Sequence, residues 1–154
     1  MVEIKKQGLY DGAGSEDTPE DTLALKDYGK SPTIVNIDAL AKTNDNYRLA
    51  LWTGEYMQVT LMSIPVGQDV GLEIHEGTEQ FFRVESGRAL VEMGASKDKL
   101  EYREEVTDDF AFVVPKKTWH NVTNIGNTPL KLYSIYAPPH HEYGTVQKTR
   151  KDGE

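Results

Sequence analysis

The chain has 154 residues, 25 acidic side chains against 17 Lys and Arg, 4 His, no Cys and a formal net charge of -8. A single domain of this length buries enough surface to fold without disulfides or a structural metal. The acidic balance argues against a nucleic acid partner, and the lack of Cys excludes disulfides, thiolate metal sites and cysteine nucleophiles.

The N-terminal segment is predicted to be a loop-rich arm over residues 1–33. Gly, Pro, Ser, Thr and acidic residues dominate it, and only residues 21–27 have a pattern compatible with a short helix. The start of the chain lacks the apolar stretch of a signal peptide, and no apolar run approaches the roughly eighteen residues of a membrane span. We therefore expect a cytoplasmic protein without a membrane partner.

From residue 34 to residue 137, short apolar and β-branched runs alternate with turn residues, which is typical of an all-β sandwich or barrel. Residues 138–154 are polar and are expected to form a solvated, partly frayed tail. The predicted strands are Ile34–Ile37, Tyr47–Trp52, Met57–Ile64, Gly71–His75, Gln80–Glu85, Ala89–Met93, Glu101–Arg103, Phe110–Val114, His120–Thr123 and Leu130–Tyr136.

Candidate metal ligands lie near two of these strands. Successive strand residues point to opposite faces, so Glu73 and His75 share one face, and a turn then returns the chain toward Gln80. His120 follows a turn some forty residues later and supplies a third candidate. Two imidazoles and one carboxylate suit Fe(II), Zn²⁺ or Mn²⁺, and the Gln80 amide oxygen would be a weaker fourth ligand. The alternation of side chains along the strand after this turn predicts that Gln80, Phe82 and Val84 face inward. Phe81, Arg83 and Glu85 are then predicted to face outward.

The spacing also allows a purely structural interpretation. Leu72 and Ile74 could be the residues that face the core, which would leave Glu73 and His75 on an ordinary solvated face. His120 could equally be a hydrogen-bonded turn histidine. His140 and His141 follow a Pro-Pro bend in the polar tail. We expect them to be solvated, with closure over a pocket as the alternative.

The motifs themselves carry a resemblance to a known family. Residues 67–87 resemble the first cupin motif, G-x5-H-x-H-x4-E-x6-G, and residues 115–124 resemble the second, P-x-G-x2-H-x3-N. The chain is also similar to small single-domain bacterial cupins of the sugar-phosphate-isomerase-like group, including mannose-6-phosphate isomerase-like proteins. It departs from the first motif at Glu73, where the family has His, and at Gln80, where the family has Glu. Lys117 replaces the Gly of the second motif.

The resemblance implies a double-stranded β-helix, the jelly-roll barrel of cupins, with one divalent metal inside. The implied ligands are Glu73, His75, Gln80 and His120, which resemble the Gln/His/Glu/His zinc set of phosphomannose-isomerase cupins with Glu and Gln exchanged. Zn, Fe, Mn and Ni all remain compatible. Inward positions that could line a substrate pocket, or could simply pack the core, are Trp52, Gln58, Thr60, Phe82 and Tyr136.

Function is less constrained than fold, because cupins host many chemistries. The resemblance favours a metal-dependent cupin that binds or isomerises a small polar metabolite. The outward phase of Arg83 counts against a phosphorylated substrate. The alternatives are a mononuclear non-haem iron dioxygenase and a non-catalytic sensor. Small cupins often pair, so we expect a homodimer, with the segment before Ile34 as the exchanged element.

Overall fold

The structure is a computed structural model, and it describes residues 24–153. Within this range the chain is mostly strand, which confirms the all-β prediction. One α-helix, α1, spans Ile37–Thr43, and a 3₁₀ helix spans Arg150–Gly153. The strands are β1 (Arg48–Thr53), β2 (Gln58–Ile64), β3 (Glu79–Ser86), β4 (Ala89–Gly94), β5 (Tyr102–Val106), β6 (Ala111–Val114), β7 (Trp119–Asn124), β8 (Leu130–Ala137) and β9 (Val146–Gln147).

The strands form two antiparallel sheets that face each other across the main core. One sheet has six strands in the order β6-β3-β8-β2-β1-β9, and the other has three in the order β5-β4-β7. Buried side chains of both sheets belong to one apolar cluster, in which Val84 and Leu132 of the first sheet join Val91 and Val122 of the second. This arrangement is the predicted jelly roll. No helix in residues 24–153 has the length and apolar character needed to cross a membrane.

The prediction of a strand at Ile34–Ile37 is wrong, because residues 34–36 have no regular secondary structure and α1 begins at Ile37. The side-chain oxygen of Asn36 accepts a hydrogen bond from the backbone N–H of Ala39 at 3.1 Å and caps the helix. Leu40 and Ala41 then pack with Leu49 and other apolar side chains of β1 and β2 in a second cluster. A run of four apolar-rich residues does not reveal whether its period is that of a strand or of a helix.

The segment before α1 is fixed to the barrel by Asp27. Its carboxylate accepts hydrogen bonds from the backbone N–H groups of Gly29 and Thr53 at 2.9 Å each, and from the backbone N–H of Gly144 at 2.9 Å. Residues 24–33 contain no helix. The rest of the predicted N-terminal arm, residues 1–23, lies outside the described residues.

The C-terminal segment differs from the frayed tail expected from its composition. Strand β9 pairs with the beginning of β1, where Gln147 lies opposite Arg48. The 3₁₀ helix that follows is held by Asp152, whose carboxylate accepts hydrogen bonds from the backbone N–H groups of Lys148 and Thr149 at 3.0 Å each. Polar side chains hold this segment against the barrel, so the hydrophobic pattern of the sequence did not indicate that the segment is ordered.

Candidate metal centre

Glu73 and His120 are brought together by their own backbones. The N–H of Glu73 donates to the carbonyl oxygen of His120 at 3.0 Å, and the N–H of His120 donates to the carbonyl oxygen of Glu73 at 2.9 Å. This is an isolated antiparallel bridge, not the continuous strand predicted over Gly71–His75. The bridge is sufficient, because it places the side chains of the two motifs side by side.

The three side chains predicted as the main ligands form one compact cluster. One ligand atom from each of Glu73, His75 and His120 lies within 4.8 Å of the others. The Nε2 atoms of the two histidines each lie 3.3 Å from Oε1 of Glu73. Both histidines are buried, whereas Glu73 is half-buried. The solvated-face interpretation of Glu73 and His75 is therefore wrong.

The orientation of the histidines leaves their Nε2 atoms free to bind. Nδ1 of His120 lies 3.0 Å from the carbonyl oxygen of Thr118, so Nδ1 carries the proton and Nε2 keeps its lone pair. The Nε2 atoms of His75 and His120 are both buried without a hydrogen-bond partner, since their contacts with Glu73 lack hydrogen-bond geometry. A metal ion would satisfy these nitrogens.

Gln80 is buried on β3, where it pairs with Tyr136, whose ring lies 5.9 Å from that of His75 between centroids. The amide nitrogen of Gln80 donates to the Ser134 hydroxyl at 3.3 Å, and its Oε1 is buried without a hydrogen-bond partner. Gln80, Phe82 and Val84 are all buried, as their phase predicted. Glu85 was predicted to face solvent but is buried, because the strand is irregular between Val84 and Ser86.

The electrostatics of the cluster favour an anionic Glu73. Burial alone raises the pKa of the Glu73 carboxyl, but its contacts with the side chains of His120 and His75 outweigh burial and hold this pKa well below its usual range. The carboxylate is thus available as a charged oxygen ligand near neutral pH. The cluster offers two imidazole nitrogens and one carboxylate oxygen.

Four of the five predicted pocket residues lie on the inner face of the six-stranded sheet. Gln58 and Gln80 both pair with Tyr136, while the Thr60 and Ser134 hydroxyls share a hydrogen bond of 2.8 Å. The ring of Phe82 lies 6.4 Å from that of His120, and the ring of Tyr136 lies 5.9 Å from that of His75, between centroids.

Trp52 is the predicted pocket residue that the fold places elsewhere. Its indole Nε1 donates to the carbonyl oxygen of Ser31 at 2.8 Å. The side chain lines a separate groove with Val35, Leu51 and Val59, beside α1 and outside the barrel interior.

His140 and His141 both lie beside the cluster: His140 stays exposed, as expected, whereas His141 is half-buried, which corrects the expectation for that residue. The ring centroid of His140 lies 4.3 Å from that of His75, and Nε2 of His141 lies 3.3 Å from the Tyr136 hydroxyl. Gln58 fixes both residues, because its Oε1 accepts their backbone N–H groups at 3.2 and 2.9 Å. From the sequence, a position of this pair over a pocket was only the alternative expectation, and the bend at Pro138–Pro139 was the signal for it.

A cavity of about 190 Å³ leads from the surface to Glu73. His140 and His141 line it on one side, and Arg48 and Arg150 line it as well. Neither arginine was a candidate from the sequence. Arg48 stands at the start of a strand, where an isolated Arg gives no sign of burial, and Arg150 belongs to the segment expected to be frayed.

Comparison with known proteins adds relatives along most of the chain. A family model for the cupin domain matches residues 60–136. The uncharacterized protein YrkC of Bacillus subtilis is 56% identical over 145 residues, which are 94% of this chain and 78% of that protein. An uncharacterized protein of Acanthamoeba polyphaga mimivirus is 35% identical over 118 residues, covering 76% of this chain and 72% of its own.

Solved structures agree with the fold. The crystal structure of BH2720 from Bacillus halodurans has a TM-score of 0.83 at 57% identity and covers 83% of this chain and 97% of that chain. KdgF from a Halomonas species has a TM-score of 0.53 at 18% identity, with 60% of this chain and 80% of that chain covered, and is similar in fold alone.

Proposed function

Because this chain belongs to the cupin family, we propose that it holds one divalent transition metal and presents it to a small polar metabolite. The ligands in this proposal are Glu73, His75 and His120, with Gln80 as a weaker fourth. The observation that carries the proposal is the set of buried atoms without partners, the Nε2 atoms of both histidines and Oε1 of Gln80, beside an anionic carboxylate.

The donor set fits Zn²⁺, Fe²⁺, Mn²⁺ or Ni²⁺, because imidazole and oxygen ligands accept all four. An ion bound there would polarise a carbonyl or hydroxyl oxygen of the ligand. The protein's own contribution is to orient that ligand. Glu73 keeps the centre charged, and His140 and His141 line the cavity that leads to it. Isomerisation of a hydroxycarbonyl metabolite is the reaction class we favour, from the resemblance to isomerase-like cupins.

Oxygenation is a second candidate, and a specific observation favours it. Two histidines and one carboxylate are the ligand set of mononuclear non-haem Fe(II) oxygenases, and this cluster has that composition. Iron in the purified protein together with metabolite-dependent oxygen consumption would favour this reaction. Metal binding and ligand binding without turnover would leave a sensor role.

The metal proposal is tested by elemental analysis of untagged protein purified without chelators or added metals. We expect about one metal ion per chain in the wild type and in His141→Ala, which loses a histidine outside the ligand set. His75→Ala and His120→Ala should lose most of it. Equal metal content in all four proteins, or no metal after reconstitution of the wild type, would contradict the proposal.

We also propose a cytoplasmic homodimer. Among residues 24–153, no strand pairs with the outer edge of β6, which exposes Val113, with Phe110 exposed just before it. A mass of about twice 17.3 kDa by light scattering at micromolar concentration is expected. A monomer mass would contradict the dimer.

A further inference from the structure

Arg48 is a buried cation beside the candidate metal centre. It is the first residue of β1, 5% exposed, and its side chain lines the cavity that leads to Glu73. Burial of a guanidinium is unfavourable unless opposite charge and hydrogen bonds compensate for lost hydration. The groups that meet Arg48 therefore show whether the protein itself satisfies this charge.

The protein satisfies Arg48 only in part. One terminal nitrogen, Nη1, donates to the neutral amide oxygen of Gln147 at 2.6 Å, and Cζ lies 5.3 Å from the centre of the Tyr47 ring. Nε is buried without a hydrogen-bond partner. Within residues 24–153, no carboxylate forms an ion pair with Arg48.

The other charged groups of the cavity leave this guanidinium available. Arg150 at the rim is already paired, through Nη2, with Asp69 Oδ1 at 3.1 Å. Glu73 is the carboxylate that lines the cavity, and its contacts are with the two histidines of the metal centre. A ligand anion is the remaining group that could neutralise Arg48 in this cavity.

We propose that Arg48 binds the anionic group of the ligand, so that the cavity takes a small metabolite with a carboxylate or phosphate at one end. This inference rests on the proposed function for the other end of the ligand, where a hydroxyl or carbonyl oxygen faces Glu73, His75 and His120. The cavity has a volume of about 190 Å³, which suits a small organic acid or a short phosphorylated compound.

The position of Arg48 removes the sequence-based objection to a phosphorylated substrate. The outward phase of Arg83 counted against a phosphorylated substrate, and Arg83 is indeed paired outside the cavity, with Glu85 and Asp109. The cation that serves the cavity instead comes from β1, where β9 and the 3₁₀ helix bury it. A Cβ on Gly153 would lie 3.3 Å from Nη1 of Arg48, so the C-terminal helix packs closely against this group.

Binding of glycolate and of inorganic phosphate, measured by calorimetry on the metal-loaded wild type and Arg48→Gln, tests the proposal. Ethylene glycol serves as the neutral analogue of glycolate. We expect Arg48→Gln to bind the preferred anion at least tenfold more weakly, with unchanged metal content. Arg83→Gln, which removes an arginine outside the cavity, should bind as the wild type does. The tighter of the two anions identifies the ligand as a carboxylate or a phosphate.

Two further measurements separate the possible failures. Arg48→Lys keeps the positive charge but loses the planar guanidinium, whose paired N–H groups match a carboxylate. This variant should therefore retain more of its phosphate binding than of its glycolate binding. If the wild type takes up no metal, the same titrations on the metal-free protein test the anion site alone. Thermal unfolding establishes that both proteins are folded. Equal anion affinity in the folded wild type and in folded Arg48→Gln would then overturn the anion-site proposal without contradicting the metal proposal.

Discussion

Lys117 donates its backbone N–H to the carbonyl oxygen of His75 over 2.7 Å, and it does so with a left-handed backbone, at a φ of 61°. This bond ties the turn before β7 to His75 of the first motif. Glycine is the residue that adopts such a conformation without a steric penalty, and Lys117 stands where the cupin pattern has Gly. The turn keeps its shape at the expense of local strain.

We therefore expect Lys117→Gly to stabilise the protein by about 0.5–1 kcal/mol, since relief of strain exceeds the added entropy of the unfolded chain. Urea unfolding measures the change. Lys116→Gly is the matched control, and it should destabilise by a similar amount, because Lys116 is not among the residues with positive φ. Equal effects of the two substitutions would contradict the strain argument.

Gln80 offers a test of how the ligand set controls metal affinity. Gln80→Glu restores the carboxylate of the cupin pattern and should tighten Zn²⁺ or Mn²⁺ binding by about tenfold or more, since it adds a charged ligand. The same change should lower the melting temperature of the metal-free protein, because a second buried carboxylate would lie near Glu73.

The control for Gln80→Glu is Gln68→Glu, which adds the same charge at an exposed position. It should change neither metal affinity nor stability by much. Titration of each metal-free protein, followed by thermal unfolding with and without the ion, gives both quantities. Unaltered affinity in Gln80→Glu would place residue 80 outside the ligand set.

Gln58 holds the segment that covers the centre. Besides accepting the N–H groups of His140 and His141, its Nε2 donates to the carbonyl oxygen of His141 at 2.8 Å and to the Thr53 hydroxyl at 2.9 Å. Gln58→Leu removes all four bonds from a fully buried site and should cost about 2–4 kcal/mol.

Hydrogen exchange locates the effect of Gln58→Leu. Amides of residues 140 and 141 should exchange faster, whereas amides of β4 and β7 in the opposite sheet should change only by the global loss of stability. Gln68→Leu, at a surface position, should leave both exchange and stability near the wild-type values. An unchanged exchange rate at residues 140 and 141 would show that other contacts hold this segment.

His141 predicts a specific acid sensitivity. Burial, followed by the nearby charge of Arg48, lowers the pKa of His141 to about 3 from its ordinary value of 6.5. The other charged groups acting on it are His140, Glu73 and His75. Because the unfolded chain takes up the proton first, this group destabilises the fold as pH falls from about 6.5 toward 3.

His141→Asn should therefore lose less stability than the wild type over that range. The difference between the two proteins should grow by at most about 1.4 kcal/mol per pH unit, and by less where water reaches the ring. Urea unfolding of both proteins in chelator, at pH 8, 7, 6 and 5, measures it. A constant difference across these pH values would contradict the assigned burial.

The sequence by itself determined most strands, because period-two alternation is a local signal that each strand carries on its own. It also identified the candidate ligands, since Glu73, His75, Gln80 and His120 stand at the cupin spacings. The inward phase of Gln80 and Phe82 followed from the same alternation. These features depend on neighbours within a few residues, and sequence reports such neighbours directly.

The tertiary structure alone decided which distant residues meet. A backbone bridge joins Glu73 to His120, a buried Gln58 draws His140 and His141 over the centre, and polar contacts dock the C-terminal segment against Arg48. None of these pairings has a periodic signature, because each is a hydrogen bond or burial between segments far apart in the chain. The sequence therefore gave no indication that Arg48 is buried in the cavity, because its burial depends on the docking of β9.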